Sequence, residues 1–211
     1  MILYAGPSLS PQSRDLIDHA DIELRPPVQR GDIPALLEAG YRGSLAIADG
    51  VFHQVVAVGH AELRVAMELG CQVYGLCSMG AIRAYEMRHL GMQGFGEVYE
   101  WFFKLEDFQD DELALYHFPE PDFRPITEPL VHFRACLTAW KEHLDPKFWL
   151  PLEIILSEMK ERFYGERDLN LFEKLLEEHL PTHQTAILNS FDQYRIKQKD
   201  LERFLREKPW L

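Results

Sequence analysis

The residues best suited to chemistry lie in the string Gly75-Leu76-Cys77-Ser78-Met79-Gly80-Ala81. An apolar run, Gln72 to Leu76, leads into it, and a helical pattern from Met79 to Leu90 leads out. A tight strand-to-helix turn lifts a nucleophile out of the backbone and offers the helix N-terminal N–H groups to an oxyanion. Two registers compete. Centred on Ser78, Gly80 stands at +2 but bulky Leu76 at −2. Centred on Cys77, Gly75 stands at −2 but bulky Met79 at +2. Neither completes G-x-S-x-G, and a serine that merely N-caps the helix is the competing reading.

A nucleophile needs a base. His60 stands on the preceding helical segment with Glu62, but residues two apart do not share a helix face. His53 lies near Asp49-Gly50 and is a comparable candidate. Arg83 and Glu86 are spaced i, i+3 on the helix after the turn, as an ordinary ion pair or as groups orienting the site. The run Asp110-Asp111-Glu112, with His117, reads as a solvated, helix-capping stretch rather than a cluster of hard oxygens for a metal. There is no Walker or dinucleotide glycine loop, so no nucleotide or other cofactor is expected, and no metal.

Several elements must position these groups. Met1 to Ala5, Asp21 to Arg25, Ser44 to Ala48 and Gln72 to Leu76 are short strand candidates. Between them Ser10 with Pro11, Asp32 with Pro34, and Val58 to Leu69 mark helices that end near Gly40 and Gly70. Such alternation predicts an α/β fold: a small, mostly parallel sheet with flanking helices in a Rossmann-like layering. Ligands then gather at the carboxyl ends of the strands, which would bring together Gly6-Pro7-Ser8, Arg25-Pro26-Pro27, Asp49-Gly50 and Cys77-Ser78. Residues 92–134 read as irregular. From about residue 135 apolar stripes predict a helical region: Leu152, Ile155, Leu156, Met159 and Phe163; Leu169, Phe172, Leu176 and Leu180; then Ile187, Phe191, Tyr194, Leu201 and Leu205. The expected division is a core over 1–134 and a helical extension over 135–211 that adds stability or a partner surface and no catalytic group. Its last stretch, Arg195 to Lys208, reads as a solvated helix face.

The 211 residues are 46% hydrophobic and 27% charged, enough to bury a core. A net charge of −12 argues against nucleic acid and anionic membrane as partners. No apolar run approaches the roughly 20 residues of a membrane span. Three scattered cysteines, Cys71, Cys77 and Cys136, argue for a reducing compartment, and the expected location is cytoplasmic.

In order along the chain stand Gly6-Pro7-Ser8, Pro26-Pro27 with Gly31-Asp32, Ile47-Ala48-Asp49-Gly50-Val51-Phe52 and His60-Ala61-Glu62-Leu63. Then follow Gly75 to Glu86, Gly91-Met92, Asp110-Asp111-Glu112-Leu113-Ala114 with His117, and Thr127-Glu128-Pro129-Leu130-Val131-His132-Phe133-Arg134. Over about residues 1–134 this string resembles the TfuA-like protein family. The resemblance implies a role beside a YcaO-type enzyme, which uses ATP to activate a peptide backbone amide that becomes a thioamide. The TfuA-like protein would bind that enzyme and supply sulfur, by hydrolysing the C-terminal thiocarboxylate of a ThiS-like carrier at a Ser–Lys site. Ser78, Cys77 and His60 are then the catalytic candidates. Ser8, Asp49, Glu62, Arg83, Glu86, Asp111, His117 and Arg134 are candidates for binding substrate peptide or partner. Three positions depart from the family pattern: Cys77 replaces the first serine of Ser-Ser-Met-Gly, Ala61 replaces the lysine of His-Lys-Glu, and His132 replaces an asparagine. Without a lysine at 61, His60 or another residue must act as base. The alternative is a docking module that recruits or activates without chemistry.

Overall fold

The structure is a computed structural model that describes residues 1–51 and 56–211; Phe52 and the candidate His53 fall outside the described residues. Its first elements are β1 (Ile2–Tyr4), α1 (Pro11–Asp18), β2 (Glu23–Arg25), α2 (Asp32–Glu38) and β3 (Leu45–Ile47). There follow α3 (His60–Glu68), β4 (Val73–Gly75), α4 (Met79–Met87), β5 (Gln93–Gly94) and α5 (Glu97–Lys104). The remainder is helical: α6 (Leu130–His143), α7 (Trp149–Glu161), α8 (Leu169–His179), α9 (Gln184–Ser190) and α10 (Ile196–Glu207).

The five strands form one parallel sheet in the order β2-β1-β3-β4-β5. Successive residues of a strand face opposite sides, and both sides are buried here. Ile2, Tyr4, Leu45, Ile47 and Val73 pack with Ile33 and Leu36 of α2, Leu63 and Ala66 of α3, and Met79 of α4. Leu3, Ala46 and Tyr74 pack on the other side with Ile17 of α1 and Leu201, Phe204 and Leu205 of α10. The sheet is thus covered by helices on both faces, as parallel sheets require.

The local signals operate much as the sequence suggests. The Ser10 hydroxyl accepts from the N–H of Ser13 ahead of α1, with Pro11 at the first position. Asp32 is a different case. Gly31 occupies the cap of α2, and the Asp32 carboxylate accepts instead from the N–H of Gln29. β5 and α5 fall within the stretch read as irregular, because a two-residue strand and one short helix leave almost no periodic signal. α6 begins at Leu130, directly after Pro129, which starts a helix here rather than breaking one.

The chain divides into two compact units, Met1–Phe108 with Lys197–Leu211, and Gln109–Ile196. The division differs from a boundary at 134/135, because the apolar stripe of α10 is buried on the sheet and returns the C-terminus to the first unit. The second unit has its own core, built by Leu130, Phe133 and Leu137 of α6 with Leu152, Ile155 and Met159 of α7 and Phe172 and Leu176 of α8. No helix among the described residues is long and apolar enough to cross a membrane.

Candidate functional site

In the order 2-1-3-4-5 the chain winds outward in opposite directions from the boundary between β1 and β3, the switch point where open parallel sheets bind ligands. Asp49 follows β3 at that point and is buried. Its Oδ2 accepts the backbone N–H groups of Gly6, at 2.9 Å, and Ser8, at 2.8 Å; its Oδ1 accepts the Ser8 hydroxyl at 2.7 Å. One carboxylate therefore ties the loop after β1 to the loop after β3. Ser8 and Asp49, two of the sequence candidates, meet directly.

The next strand ends in the elbow. Ser78 donates its N–H to the carbonyl of Ala48 at 3.0 Å, and the chain reverses through Cys77, whose φ is +60°. That left-handed conformation is rare for a residue with a side chain and costs about 1–3 kcal/mol where neighbours enforce it. The enforcing contacts are those of α4 on the sheet. A Cβ on Gly80 would lie 1.6 Å from the Ile47 carbonyl oxygen, and one on Gly75 would lie 2.1 Å from the Gly80 carbonyl oxygen. These glycines serve close backbone packing, which explains why neither register of G-x-S-x-G is complete. Ser78 stands at the boundary of α4, yet its side chain makes no capping hydrogen bond. The N-cap reading of this serine is therefore not what the fold uses. Its residue exposure is only 3%.

Cys77 is fully enclosed. Its Sγ donates to the carbonyl oxygen of Lys197 at 3.1 Å. Burial pushes the thiol well above its ordinary pKa and the charges of Asp200 and Asp49 push it further, against the Lys197 charge and a hydrogen bond with Ser8. The thiol is therefore protonated at neutral pH, the wrong state for a nucleophile. Lys197, whose charge opposes the rise of the thiol's pKa, is only 2% exposed. Asp200, one turn further along α10, is buried and accepts the N–H groups of Glu97 (2.8 Å) and Val98 (2.9 Å) at the start of α5.

Lys197 and Asp200 are not among the sequence candidates. A signal was available. Lys197, Asp200, Leu201, Phe204 and Leu205 follow i, i+3, i+4, i+7, i+8, so two charges occupy the apolar stripe of an amphipathic helix. Reading Arg195 to Lys208 as a solvated face overlooked that phase.

The other candidates occupy different surroundings. The His60 Nε2 bonds Glu86 Oε2 at 2.7 Å, and Arg83 bonds the same oxygen at 2.6 Å while its Nε donates to the Val58 carbonyl. His60, Arg83 and Glu86 thus form one partly exposed network between α3 and α4. Glu62 accepts the N–H groups of Gly31 and Gly59, pinning the starts of α2 and α3. In the second unit the acidic run is not simply solvated. Glu112 is buried against Arg134, with Arg134 Nε donating at 2.8 Å. Asp111 receives Arg167, which also donates to the carbonyls of Met159 and Lys160. His117 lies beside the Phe118 carbonyl, and His132 Nδ1 is 2.7 Å from Glu128 Oε2. Burial pushes the Glu128 carboxyl up, but His132 and Arg195 outweigh it and hold it below the usual carboxylate range.

The region thus combines a hydroxyl at a helix N-terminus, a buried lysine, and two buried carboxylates that organise the surrounding loops. No curated protein matches the chain. The family model described as TfuA-like protein matches residues 49–168, from the Asp49 turn through the elbow and into the second unit. That family is generally associated with YcaO-type thioamidation. With more than half of its length matched, the chain belongs to the TfuA-like protein family.

Proposed function

We propose that this protein delivers sulfur to a YcaO-type ATP-dependent enzyme by hydrolysing the C-terminal thiocarboxylate of a ThiS-like carrier. The observation that carries this reading is Ser78 at the start of α4, next to Cys77, whose thiol donates to the backbone carbonyl of the buried Lys197 and feels its charge. In the reaction the Ser78 hydroxyl attacks the acyl carbon and passes its proton to the Lys197 amine. The amine takes that proton in its neutral form. The tetrahedral oxyanion collects at the α4 N-terminus. The carbon–sulfur bond then breaks, sulfur leaves as hydrosulfide with the proton returned by Lys197, and water hydrolyses the acyl-serine to a carboxylate.

The reading relocates the base. Ala61 cannot serve, and His60 is engaged with Glu86. Cys77, protonated and enclosed, supports the fold of the elbow instead of attacking. A docking role without chemistry has one observation in its favour, the near-complete burial of Ser78, which a carrier tail could reach only after a local opening.

Ser78→Ala separates the two. The variant should still bind the YcaO-type partner but lose sulfide release from the carrier thiocarboxylate by about 100-fold or more. Thioamide formation with free sulfide should be retained. Carrier-dependent release at the wild-type rate would leave only the docking role, and absence of any affinity for a YcaO-type partner would remove both.

A further inference from the structure

Lys197 acts from a helix that lies 119 residues beyond Ser78 in the chain, so something must seat that helix on the elbow. The sheet contacts of Leu201, Phe204 and Leu205 bury the middle and end of α10, but they are apolar and tolerate small rotations. Directional contacts also act on its first turns: the Ser10 hydroxyl donates to Glu202 Oε1 at 2.7 Å, and two more involve Lys197 and Asp200. The Cys77 thiol donates to the backbone carbonyl of Lys197 itself. The Asp200 carboxylate, one turn on, accepts both N–H groups that open α5, Glu97 through Oδ1 and Val98 through Oδ2.

The second contact is built with some care. Gly96 precedes α5 with φ +99°, and a Cβ there would fall 2.3 Å from the Asp200 Cγ and 2.4 Å from its Oδ2. Only glycine admits both the backbone conformation and the approach of the carboxylate. Asp200 thus caps a helix to which it does not belong, and the cap ties α10 to the start of α5. A ten-degree rotation of α10 about its axis moves a lysine amine, about 6 Å from that axis, by about 1 Å, and such a misplacement alone costs a proton transfer dearly.

We infer that Asp200 is a positioning residue: by capping α5 it helps fix the rotation of α10 and so seats Lys197 against the Cys77–Ser78 turn. The inference rests on the hydrolase reading for its consequence in catalysis, and on geometry alone for the seating. Cys77 reports the seating directly, because its thiol is closed off by the Lys197 backbone. Unseating α10 should open that thiol to reagents whatever the reaction catalysed.

The experiment uses the full-length protein, its variants Asp200→Ala and Asp200→Asn, and Gly96→Ala, which displaces the carboxylate without altering it. Alkylation by iodoacetamide under native conditions is followed by peptide mapping, so that Cys77 is scored apart from Cys71 and Cys136. Sulfide release from a carrier thiocarboxylate is measured alongside. Asp200→Ala and Gly96→Ala should alkylate Cys77 at least 10-fold faster than wild type and lower kcat by 10-fold or more, with KM changed less than 3-fold. Asp200→Asn, which keeps one acceptor oxygen, should fall between. If Cys77 stays as protected in folded Asp200→Ala and Gly96→Ala as in wild type, the inference is overturned. If Cys77 opens in both variants but the wild type itself releases no sulfide, the seating stands and the hydrolase reading fails.

Discussion

The thiol of Cys77 and the carbonyl of Lys197, separated by 120 residues in the chain, are 3.1 Å apart in the fold. That contact joins the elbow, where Ser78 stands, to the helix that carries the buried Lys197. The consequences concern Lys197, the titration of Asp200, the elbow glycines and the buried ion pair of the second unit.

Lys197 is the most direct target. Replacing it with methionine keeps the length of the side chain and removes the proton acceptor, so sulfide release should fall by about 10²–10⁴-fold. Lys197→Arg should not rescue it, because a guanidinium does not give up its proton near neutral pH. A urea midpoint and circular dichroism spectrum measured alongside establish that the methionine variant is folded before its rate is read. Release within 3-fold of wild type in Lys197→Met would exclude Lys197 as the base.

Asp200 imposes a pH dependence on stability. Burial raises its carboxyl from 3.8 to about 7, against the two N–H groups it accepts and the Arg203 charge, with Glu97 adding to the rise. The folded value exceeds the unfolded one. The stability linked to this group is therefore complete below about pH 4 and is lost as pH climbs towards 7. Across that window the loss is on the order of 4 kcal/mol. Urea unfolding of wild type and Asp200→Asn from pH 4 to 8 should give curves that converge as pH rises, the wild type losing its relative advantage. Parallel curves would show that Asp200 titrates normally in the fold.

Gly80 has no room for a methyl group. Gly80→Ala places a carbon 1.6 Å from the Ile47 carbonyl oxygen, so α4 must lift from the sheet. The cost should reach about 3 kcal/mol or more, seen as a lower urea midpoint. Gly70→Ala offers a comparison: it too changes a glycine, but with nothing within 4 Å and φ +92° its cost is one of conformation alone. A Gly80→Ala midpoint equal to wild type would mean that the elbow is looser than this packing requires.

The second unit offers a test independent of the site. Glu112 is buried against Arg134, and removing one partner leaves the other charge uncompensated. Arg134→Met should destabilise by about 3–5 kcal/mol, and adding Glu112→Leu should recover most of it. A double variant as unstable as the single one would show that the pair contributes more than mutual neutralisation.

Much of the site was legible one segment at a time. Short apolar runs closed by Gly6, Asp49 and the Cys77-Ser78 turn encode parallel strands, because a strand buried on both faces needs no alternation. Their carboxyl ends carry the polar residues, and Ser8 with Asp49 could be placed at one end of the sheet from topology alone. The strand-to-helix turn at Ser78 was likewise a local property, set by Gly75, Gly80 and the helical pattern after them.

The proposed base is not local. The Cys77–Ser78 turn and Lys197 come together because α10 returns to the sheet, and that return is decided by which surface its stripe of Leu201, Phe204 and Leu205 buries best. A stripe announces that a helix must be covered and does not say by what. The roles of Asp49, Asp200 and Cys77 depend in the same way on backbone groups they meet across 41, 103 and 120 residues. The sequence by itself therefore determined the elements, the elbow and the side of the sheet that would be polar. Only the tertiary structure decided which charges reach the elbow, because hydrogen bonds and burial act over a few ångströms of space and carry no signature in chain distance.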